Sequence, residues 1–238
     1  MEYPLTARRV ALSALAVCAV AAATACGGAQ GDEAAQQDPN AEEAQRLHSA
    51  QLAQFGDAKV APDRSETGTY SQLSTTRQTD KLRKTAELDK PRCMEAANQW
   101  AELPEVRKAP TSLATYARGD DTITHTLIKV SEETAAEVVG AAPPEGCDEY
   151  SATMEDGSTT SYSLQEVELE QEVADGSRAF AVETALGGET VWLYSLVYRN
   201  GGLLGTTSML GPNAEDDYRE TITAFTEKAV EREEEVLA

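Results

Sequence analysis

Apolar and polar residues alternate along the second half of the chain, in runs that short turn sequences interrupt. Residues 178–186, 190–199 and 203–210 are each rich in β-branched or aromatic side chains, which is typical of strands. Gly187-Gly188 and Asn200-Gly201 separate these runs, and such pairs suit two-residue hairpin turns. The pattern therefore predicts an antiparallel meander.

Two further segments extend this sheet. Residues 150–154 and 160–173 flank the turn sequence Asp156-Gly157 and predict a hairpin. The apolar positions of the longer strand change phase along the chain, which predicts a bulge near Gln165. Residues 122–130 are rich in β-branched side chains and predict one more strand.

Helical spacing of apolar residues recurs elsewhere in the chain. The predicted helices cover residues 41–55, 80–88, 91–101 and 132–139, followed by a last helix after Asn213. Residues 57–78 are polar and predict a strand or two with loops. The last helix is expected to fray beyond Glu231 because its end is acidic. Its buried stripe should consist of Tyr218, Ile222, Phe225 and Ala229.

These elements place the chain in the α+β class, with an antiparallel β-sheet centred on the C-terminal meander and helices packed mainly on one face. Such a sheet needs one apolar face, yet residues 190–199 have two. The aromatic face carries Trp192, Tyr194 and Tyr198. These three are candidate ligand-binding residues between the meander and its covering helices, and burial in the core is the alternative for each.

The N-terminus carries a targeting signal. Arg8 and Arg9 precede an apolar run that reaches Ala22. About 15 apolar residues in a helix span roughly 22 Å at ~1.5 Å per residue, which is short of the ~30 Å hydrocarbon core of a membrane. A signal peptide that is removed therefore fits better than a permanent transmembrane helix.

The sequence Ala23-Thr24-Ala25-Cys26 follows this run and resembles the lipobox of bacterial lipoproteins. The resemblance implies cleavage before Cys26, a diacylglyceryl group with palmitate as an acyl chain on its thiol, and a protein anchored to the outer face of the cell membrane. An ordinary secretory signal cut at Ala-x-Ala is the alternative. The paired arginines leave twin-arginine export open beside general secretion.

The chain is expected to divide into three parts. Residues 1–25 form the signal peptide, residues 26–42 a disordered tether, and residues 43–238 a single α+β domain. The sequence contains 41 acidic and 20 basic residues, a formal net charge of −21. So acidic a surface is repelled by nucleic acid, which is therefore not expected as a partner.

The cysteine count predicts one disulfide. Of the four cysteines, Cys18 leaves with the signal peptide and Cys26 carries the lipid. Cys93 and Cys147 remain, and an even pair in an oxidising compartment favours a disulfide over a redox-active or metal-binding pair. Closing a loop of about 55 residues should stabilise the fold by roughly 4 kcal/mol in the chain-entropy model.

The sequence contains no motif of a known catalytic or cofactor-binding site, such as a Gly-x-Ser-x-Gly elbow, a phosphate loop or a dinucleotide fingerprint. His48 has no visible partner, and His125 is expected at the rim of the sheet or under a helix. Trp100 is interpreted as a core residue, with stacking against a ligand as the alternative. No enzyme activity, metal or cofactor is therefore predicted.

A row of acidic residues lies on one face of the predicted strand 160–173. A calcium ion or a basic partner is one interpretation of this row. A solvated face is favoured, because calcium sites need oxygen atoms that converge from a turn. The row consists of Glu166, Glu168, Glu170 and Glu172.

The order of elements resembles the extracellular sensor-type domains of actinobacterial lipoproteins, and it is similar to the sensor domain of mycobacterial membrane serine/threonine kinases. The resemblance covers roughly residues 43–235. It rests on Pro91-Arg92-Cys93, Glu145-Gly146-Cys147 and the two glycine-containing turns of the meander. It implies an antiparallel sheet with helices on one side and a cleft, and no catalytic residues. The kinase domain has two disulfides, whereas this chain can form one.

A lipid-anchored extracytoplasmic binding or sensor-like module is therefore the expected function, with the membrane contacted through the anchor and a small molecule or envelope protein as partner. The alternative is a structural or adaptor lipoprotein that binds a protein through its acidic surface. An enzyme with a site assembled from scattered carboxylates is the least favoured interpretation.

Overall fold

The computed structural model describes residues 38–186, 188–212 and 216–237. The expected signal peptide, Cys26 and most of the expected tether lie outside the described residues. None of the helices in the described part of the chain is long and apolar enough to cross a membrane.

Eleven strands and five α-helices make up the described part of the domain. The strands are β1 Gln54–Phe55, β2 Ala58–Val60, β3 Glu66–Thr69, β4 Glu87–Leu88, β5 Pro110–Arg118, β6 Asp121–Lys129, β7 Glu149–Thr153, β8 Thr159–Val167, β9 Ser177–Leu186, β10 Glu189–Asn200 and β11 Leu203–Gly211. The helices are α1 Ala41–Ser49, α2 Ser74–Thr85, α3 Pro104–Lys108, α4 Glu132–Gly140 and α5 Asp216–Leu237.

All strands pair antiparallel in one sheet, with the order β1-β2-β5-β6-β11-β10-β9-β8-β7-β4 and with β3 also paired to β5. The predicted meander is confirmed as β8 to β11. Its last strand does not end the sheet, because β11 pairs with β6 over the whole stretch from Leu203 opposite Lys129 to Leu210 opposite Thr122. This pairing brings the β5–β6 hairpin to the centre of the sheet.

The two faces of the sheet carry separate hydrophobic cores. On one face, here called the α5 face, α1 and α5 pack on the strands, and the predicted stripe from Tyr218 to Ala229 is buried. On the opposite face, here called the α4 face, Ala135 and Val138 of α4 pack beside Trp100 and the disulfide. The α+β class with an antiparallel sheet is confirmed, and its helices are shared between the two faces.

The disulfide between Cys93 and Cys147 is confirmed. Their Cα atoms lie 5.3 Å apart, both residues are fully buried, and 54 positions separate them in sequence. The bond joins the segment after β4 to the loop between α4 and β7. It therefore anchors one border of the α4 face.

Several predicted elements differ from the structure. The helix expected over residues 41–55 ends at Ser49, and the one expected over 80–88 is α2, Ser74–Thr85. The bulge expected near Gln165 is wrong, because β8 pairs with β9 in unbroken register from Thr160 to Val167.

Residues 91–101 do not form one helix but two short 3₁₀ turns, Pro91–Cys93 and Gln99–Glu102, because Glu95 between them has a φ of +48° that no helix accommodates. Strand β8 ends at Val167, well before residue 173. Helix α5 continues to Leu237 without fraying at Glu231, since Glu233 is buried and hydrogen-bonded in the core.

Candidate functional site

Helix α2 covers part of the α4 face without an apolar stripe of its own. Its sequence contains one large apolar side chain, Leu82, which is 45% exposed. Of its twelve residues, which the structure describes in full, only Thr76 is buried. Helices that pack on a sheet normally do so through a continuous apolar face, so the hydrophobic effect contributes little to the position of α2.

Polar contacts hold the N-terminus of α2 in place. Glu66 of β3 accepts hydrogen bonds from the backbone N–H groups of Ser74 at 2.5 Å and Thr75 at 3.0 Å, and from both hydroxyls. Burial acts to raise the pKa of Glu66, but these hydrogen bonds outweigh it and the pKa is lowered. An ionised carboxylate at this position also suits the positive end of the helix dipole.

A cluster of charged side chains holds the other half of α2. Arg83 pairs with Glu95 and Glu102 and lies 3.6 Å from Asp80. Arg107 of α3 forms a two-pronged contact with Asp80, at 2.6 and 2.9 Å. Because both arginines are already paired with carboxylates, the helix is fixed by a closed network of ions.

Beneath α2 the sheet presents hydroxyl groups where a packed core would have aliphatic ones. Strand register places Thr126 opposite Thr206 and Thr124 opposite Ser208, and Ser208 opposite Ser195. The Ser195 and Ser208 hydroxyls are 2.7 Å apart. These five residues, which we call the hydroxyl floor, form a continuous polar patch across β6, β11 and β10.

The space between α2 and the hydroxyl floor is a cavity of about 220 Å³, here called the polar compartment. Trp100, Asn98 and Tyr70 belong to its lining, together with Asp80 and Arg83. The Trp100 side chain is only 9% exposed, and among the described residues its buried indole N–H meets no hydrogen-bond acceptor. A buried donor without an acceptor is unusual in folded proteins and costs stability.

A second cavity of about 200 Å³, here called the apolar compartment, adjoins the first. Thr79, Arg83 and Glu95 line both cavities. The rest of the apolar compartment includes Leu82, Ala86, Leu88, Met94, Tyr150 and Tyr162. The rings of Tyr150 and Tyr162 stack at a centroid distance of 4.9 Å. Burial raises the pKa of Tyr150 to about 12, so its hydroxyl keeps its proton.

Glu95 occupies the boundary between the compartments in a strained conformation. Its φ of +48° lies in the left-handed region that non-glycine residues avoid. Burial raises the pKa of Glu95, and the hydrogen bond from Arg83 only partly offsets this. Strained residues with buried charges are concentrated at functional sites, which marks this boundary as the best candidate site.

The three aromatic residues proposed from the sequence lie on the α5 face, away from both compartments. Trp192 and Tyr194 are partly buried and pack against each other with ring centroids 6.2 Å apart, and Tyr194 also contacts Tyr218. Tyr198 is fully buried in the core. A ligand-binding role for these residues stays a prediction.

Tyr198 belongs to a buried polar chain on the α5 face. Its hydroxyl lies 2.8 Å from Nε2 of His125, whose Nδ1 lies 2.7 Å from Oε1 of Gln51. His125 is tucked under α5, one of the two positions expected for it, with its ring 5.4 Å from Phe225. Burial lowers the pKa of His125 to about 3.

A cleft of about 320 Å³ lies beside Glu233, where this chain of hydrogen bonds ends. Its lining includes Asn200, Glu233 and the cations Arg46 and Lys129. Burial raises the pKa of Glu233 to about 7. The amide of Asn200 donates to Glu233 Oε2 at 3.1 Å. The carboxyl group of Glu233 in this cleft is therefore already bound by Asn200 and Tyr198.

Sequence reasoning missed most of the compartment lining. The hydroxyl floor appeared only as β-branched strand residues, and α2 fell partly in a segment expected to form loops. One signal was present, because Thr124, Thr126, Thr206 and Ser208 repeat every second residue in strands that lie under a helix. Among the described residues no group of three or more histidines, cysteines and carboxylates is placed to hold a metal ion.

No protein-family model matches the sequence, and no curated protein matches it. Two solved structures are similar in fold. The extracellular domain of PknH from Mycobacterium tuberculosis is 8% identical, with a TM-score of 0.53, over 79% of this chain and 96% of that domain. A Mycobacterium smegmatis protein, the Rv0999 ortholog, is 15% identical, with a TM-score of 0.50, over 84% and 99%. The expected resemblance to a mycobacterial extracellular sensor-type domain is confirmed at the level of the fold.

Proposed function

We propose that the protein is a lipid-anchored, non-catalytic binding or sensor-like module on the outer face of the cell membrane, and that its ligand binds in the polar compartment under α2. The fold shared with the PknH extracellular domain supports a binding or sensing role. The lipobox-like sequence ending at Cys26 supports the anchor.

One observation carries the proposed ligand site. The buried indole N–H of Trp100 has no acceptor among the described residues, and Trp100 belongs to the lining of a cavity floored by five hydroxyl-bearing side chains. A ligand with acceptor oxygens satisfies this donor and the hydroxyl floor together. Ion pairs hold helix α2 in place of an apolar stripe, so opening it to admit a ligand exposes little apolar surface to water.

The ligand site is tested by native mass spectrometry of the full chain purified from its own envelope. The wild type should retain an additional mass, and Trp100→Phe, which removes only the indole N–H and part of the ring, should lose it. Trp192→Phe is the matched control, because Trp192 is the only other tryptophan and lies on the α5 face. Loss of the mass in Trp192→Phe alone would move the site to the aromatic face of β10.

The anchor is tested separately. Two or more acyl chains hold a protein stably on a membrane, whereas one chain binds marginally. The Cys26→Ala variant should therefore leave the membrane fraction and appear as soluble protein or as unprocessed precursor. Recovery of fully soluble wild-type protein with a free N-terminal cysteine thiol contradicts the anchor.

The charge of the chain favours a second candidate function, an adaptor that binds a basic envelope protein. The formal net charge of −21 is large for a chain of 238 residues and would steer a basic partner at low ionic strength. Cross-linking in intact cells distinguishes the two functions. A single protein partner that is lost at high salt supports the adaptor, whereas a retained small mass supports the binding module.

A further inference from the structure

The polar and apolar compartments adjoin end to end under α2. Three residues, Thr79, Arg83 and Glu95, line both of them. Each cavity alone, at about 220 and 200 Å³, is smaller than the ~300–1,000 Å³ typical of small-molecule sites. Together they reach that range, and a molecule that occupies both would pass the boundary formed by these three residues.

The polar compartment suits a head group rich in hydroxyls and without a net charge. Its donors and acceptors include the hydroxyl floor, the amide of Asn98, the hydroxyl of Tyr70 and the unpaired indole N–H of Trp100. Hydroxyl groups can both donate to and accept from such a mixed lining. The flat indole ring also gives a sugar ring an apolar surface to lie against.

The charged groups in the polar compartment argue against an ionic head group. Arg83 and Arg107 face three carboxylates, those of Asp80, Glu95 and Glu102, at salt-bridge distances. An anionic head group would have to displace one of these carboxylates. Within the cavity lining, Glu95 is paired with Arg83 and Asp80 with Arg107, so a cationic head group would have to displace an arginine. Breaking a partly buried ion pair is costly, so a neutral head group is favoured.

The apolar compartment suits an alkyl chain. Its lining combines two methionines, two stacked tyrosine rings and the aliphatic side chains Leu82 and Leu88. Leu82 is one of the few large apolar side chains that the structure leaves exposed. An alkyl chain that covers it removes apolar surface from water on both partners. Methionine side chains adapt readily to chains of different shape.

We infer that the occupant of the two compartments is a neutral amphiphile of the glycolipid class, with a single sugar ring on the hydroxyl floor and an alkyl chain against Leu82 and the stacked tyrosines. The inference rests on the proposed function and names its ligand class.

The probe for this inference is n-octyl β-glucoside, compared with glucose and with n-octyl sulfate. Each is titrated below its micelle concentration into the full chain carrying Cys26→Ala, so that no covalent lipid competes, and the heat of binding is measured. We expect the glucoside to bind at least tenfold more tightly than glucose, because the alkyl chain buries apolar surface. We expect the sulfate, which shares the chain but carries a charge, to bind at least tenfold more weakly than the glucoside.

A pair of matched variants locates the alkyl chain. Leu82→Ser should weaken binding of the glucoside about tenfold and leave binding of glucose unchanged. Leu210→Ser is the control, since Leu210 is 46% exposed, as Leu82 is at 45%, but does not line either compartment. It should change neither affinity. Both residues keep nearly half of their surface exposed, so neither variant should unfold the domain.

The outcomes separate this inference from the proposed function. Equal affinities for glucose and the glucoside, or an equal loss in Leu82→Ser and Leu210→Ser, overturn the amphiphile but leave a sugar site under α2. Tighter binding of the sulfate overturns the neutral head group. If Trp100→Phe weakens binding of the glucoside, and Leu82→Ser weakens it more than Leu210→Ser does, the ligand site under α2 and the amphiphile are both supported. If no probe binds and no mass is retained from the envelope, both proposals are wrong.

Discussion

The hydroxyl of Tyr198 lies 2.5 Å from Oε1 of Glu233, in the core between β10 and α5. Its other neighbour is Nε2 of His125, at 2.8 Å. Because a hydroxyl has one proton, it can donate to only one of these two groups. The contact therefore links the protonation of a buried carboxyl to the hydrogen bonding of a buried imidazole.

The side-chain amide of Gln51 fixes the donor and acceptor roles in the hydrogen-bonded chain that runs from Gln51 through His125 and Tyr198 to Glu233. Its Nε2 donates to the backbone carbonyls of Ser112 at 3.1 Å and His125 at 3.4 Å, so its oxygen faces Nδ1 of His125. A neutral His125 then carries its proton on Nδ1 and accepts at Nε2 from Tyr198. Glu233 completes the chain when it is protonated and donates to Tyr198. When Glu233 is ionised, Tyr198 turns toward it and His125 loses a donor.

We predict that Glu233→Gln removes a loss of stability at high pH. The folded pKa of Glu233 is about 7, above the ordinary value of 4.5. The folded state keeps this proton while the unfolded state releases it, so the contribution of Glu233 is complete below pH 4.5 and is lost as the pH rises through 7. Relative to wild type, the variant should gain about 3 kcal/mol in free energy of unfolding between pH 4.5 and 8.

His125 shifts in the opposite sense. Its pKa is about 3, below the ordinary 6.5, so its contribution is lost as the pH falls from 6.5 toward 3. Between pH 4.5 and 6.5 the effects of the two groups on the free energy of unfolding have opposite slopes and cancel in the wild type. In Glu233→Gln the free energy of unfolding should therefore rise with pH over this range, because only the contribution of His125 remains. Urea unfolding at a series of pH values measures both effects. Glu220→Gln, at an exposed position on α5 that is remote from Glu233 in the helix, should follow the wild-type curve. Identical profiles for all three proteins contradict the coupling.

Gly205 should be intolerant of any side chain. It lies opposite Tyr198 in the β10–β11 pair, and a Cβ atom built on it would approach the Tyr198 ring to 2.0 Å. Gly205→Ala should therefore displace the ring and lower the free energy of unfolding by about 3 kcal/mol, at the upper end of overpacking effects. Gly140→Ala is the control, because no atom lies within 4 Å of its added Cβ. The melting temperatures of the two variants should differ by about 6–12 °C.

Reduction of the disulfide should loosen the wall of the polar compartment as well as the fold. Cys93 begins the segment that leads to Glu95 and Trp100, and no regular helix supports that segment. The double variant Cys93→Ser, Cys147→Ser should lose roughly 2–4 kcal/mol of stability. Hydrogen exchange should accelerate over residues 94–102 before it does in the central strands. Alkylation of both thiols in the native, unreduced protein would contradict the bond.

Local sequence signals predicted much of the sheet because short sequence motifs determine its turns. The hairpin after Asn200 and the end of α4 at Gly140 each depend on a few adjacent residues, and both are confirmed, although the two turn residues of the hairpin are Gly201 and Gly202. The disulfide followed from counting cysteines. Pairing of β11 with β6 depends on residues about 80 positions apart, and no local pattern indicates it.

The candidate site was hidden from the sequence for a related reason. A helix that is held by ion pairs leaves no apolar periodicity, so α2 resembled a polar loop in the part before residue 80. The buried Glu233 likewise resembled the other acids of α5, because its partner Tyr198 lies 35 positions away. The segment after Pro91 has helical spacing, but the left-handed Glu95 interrupts it. Only the tertiary partners identify these residues.

Arg83 should decide whether α2 stays closed over the two compartments. Its side chain is 14% exposed and pairs with Glu95 and Glu102. Arg83→Met keeps much of the side-chain volume but leaves Glu95 partly buried without its cation. We expect a loss of about 2 kcal/mol in stability, since a partly buried carboxylate without a partner is costly. Hydrogen exchange measured by mass spectrometry should accelerate at least tenfold over residues 74–85.

Arg77→Met is the matched control on the same helix, because Arg77 is exposed and forms no salt bridge among the described residues. It should leave the exchange of residues 74–85 within about twofold of wild type, since exposed substitutions change stability by no more than ~0.5 kcal/mol. The two variants show whether α2 acts as a lid that opens by itself or whether loss of Arg83 destabilises the whole domain. A lid opens locally, so Arg83→Met should accelerate α2 more than the central strands β6 and β11. Uniform acceleration across the whole domain would show that the ions stabilise the fold and do not close the site.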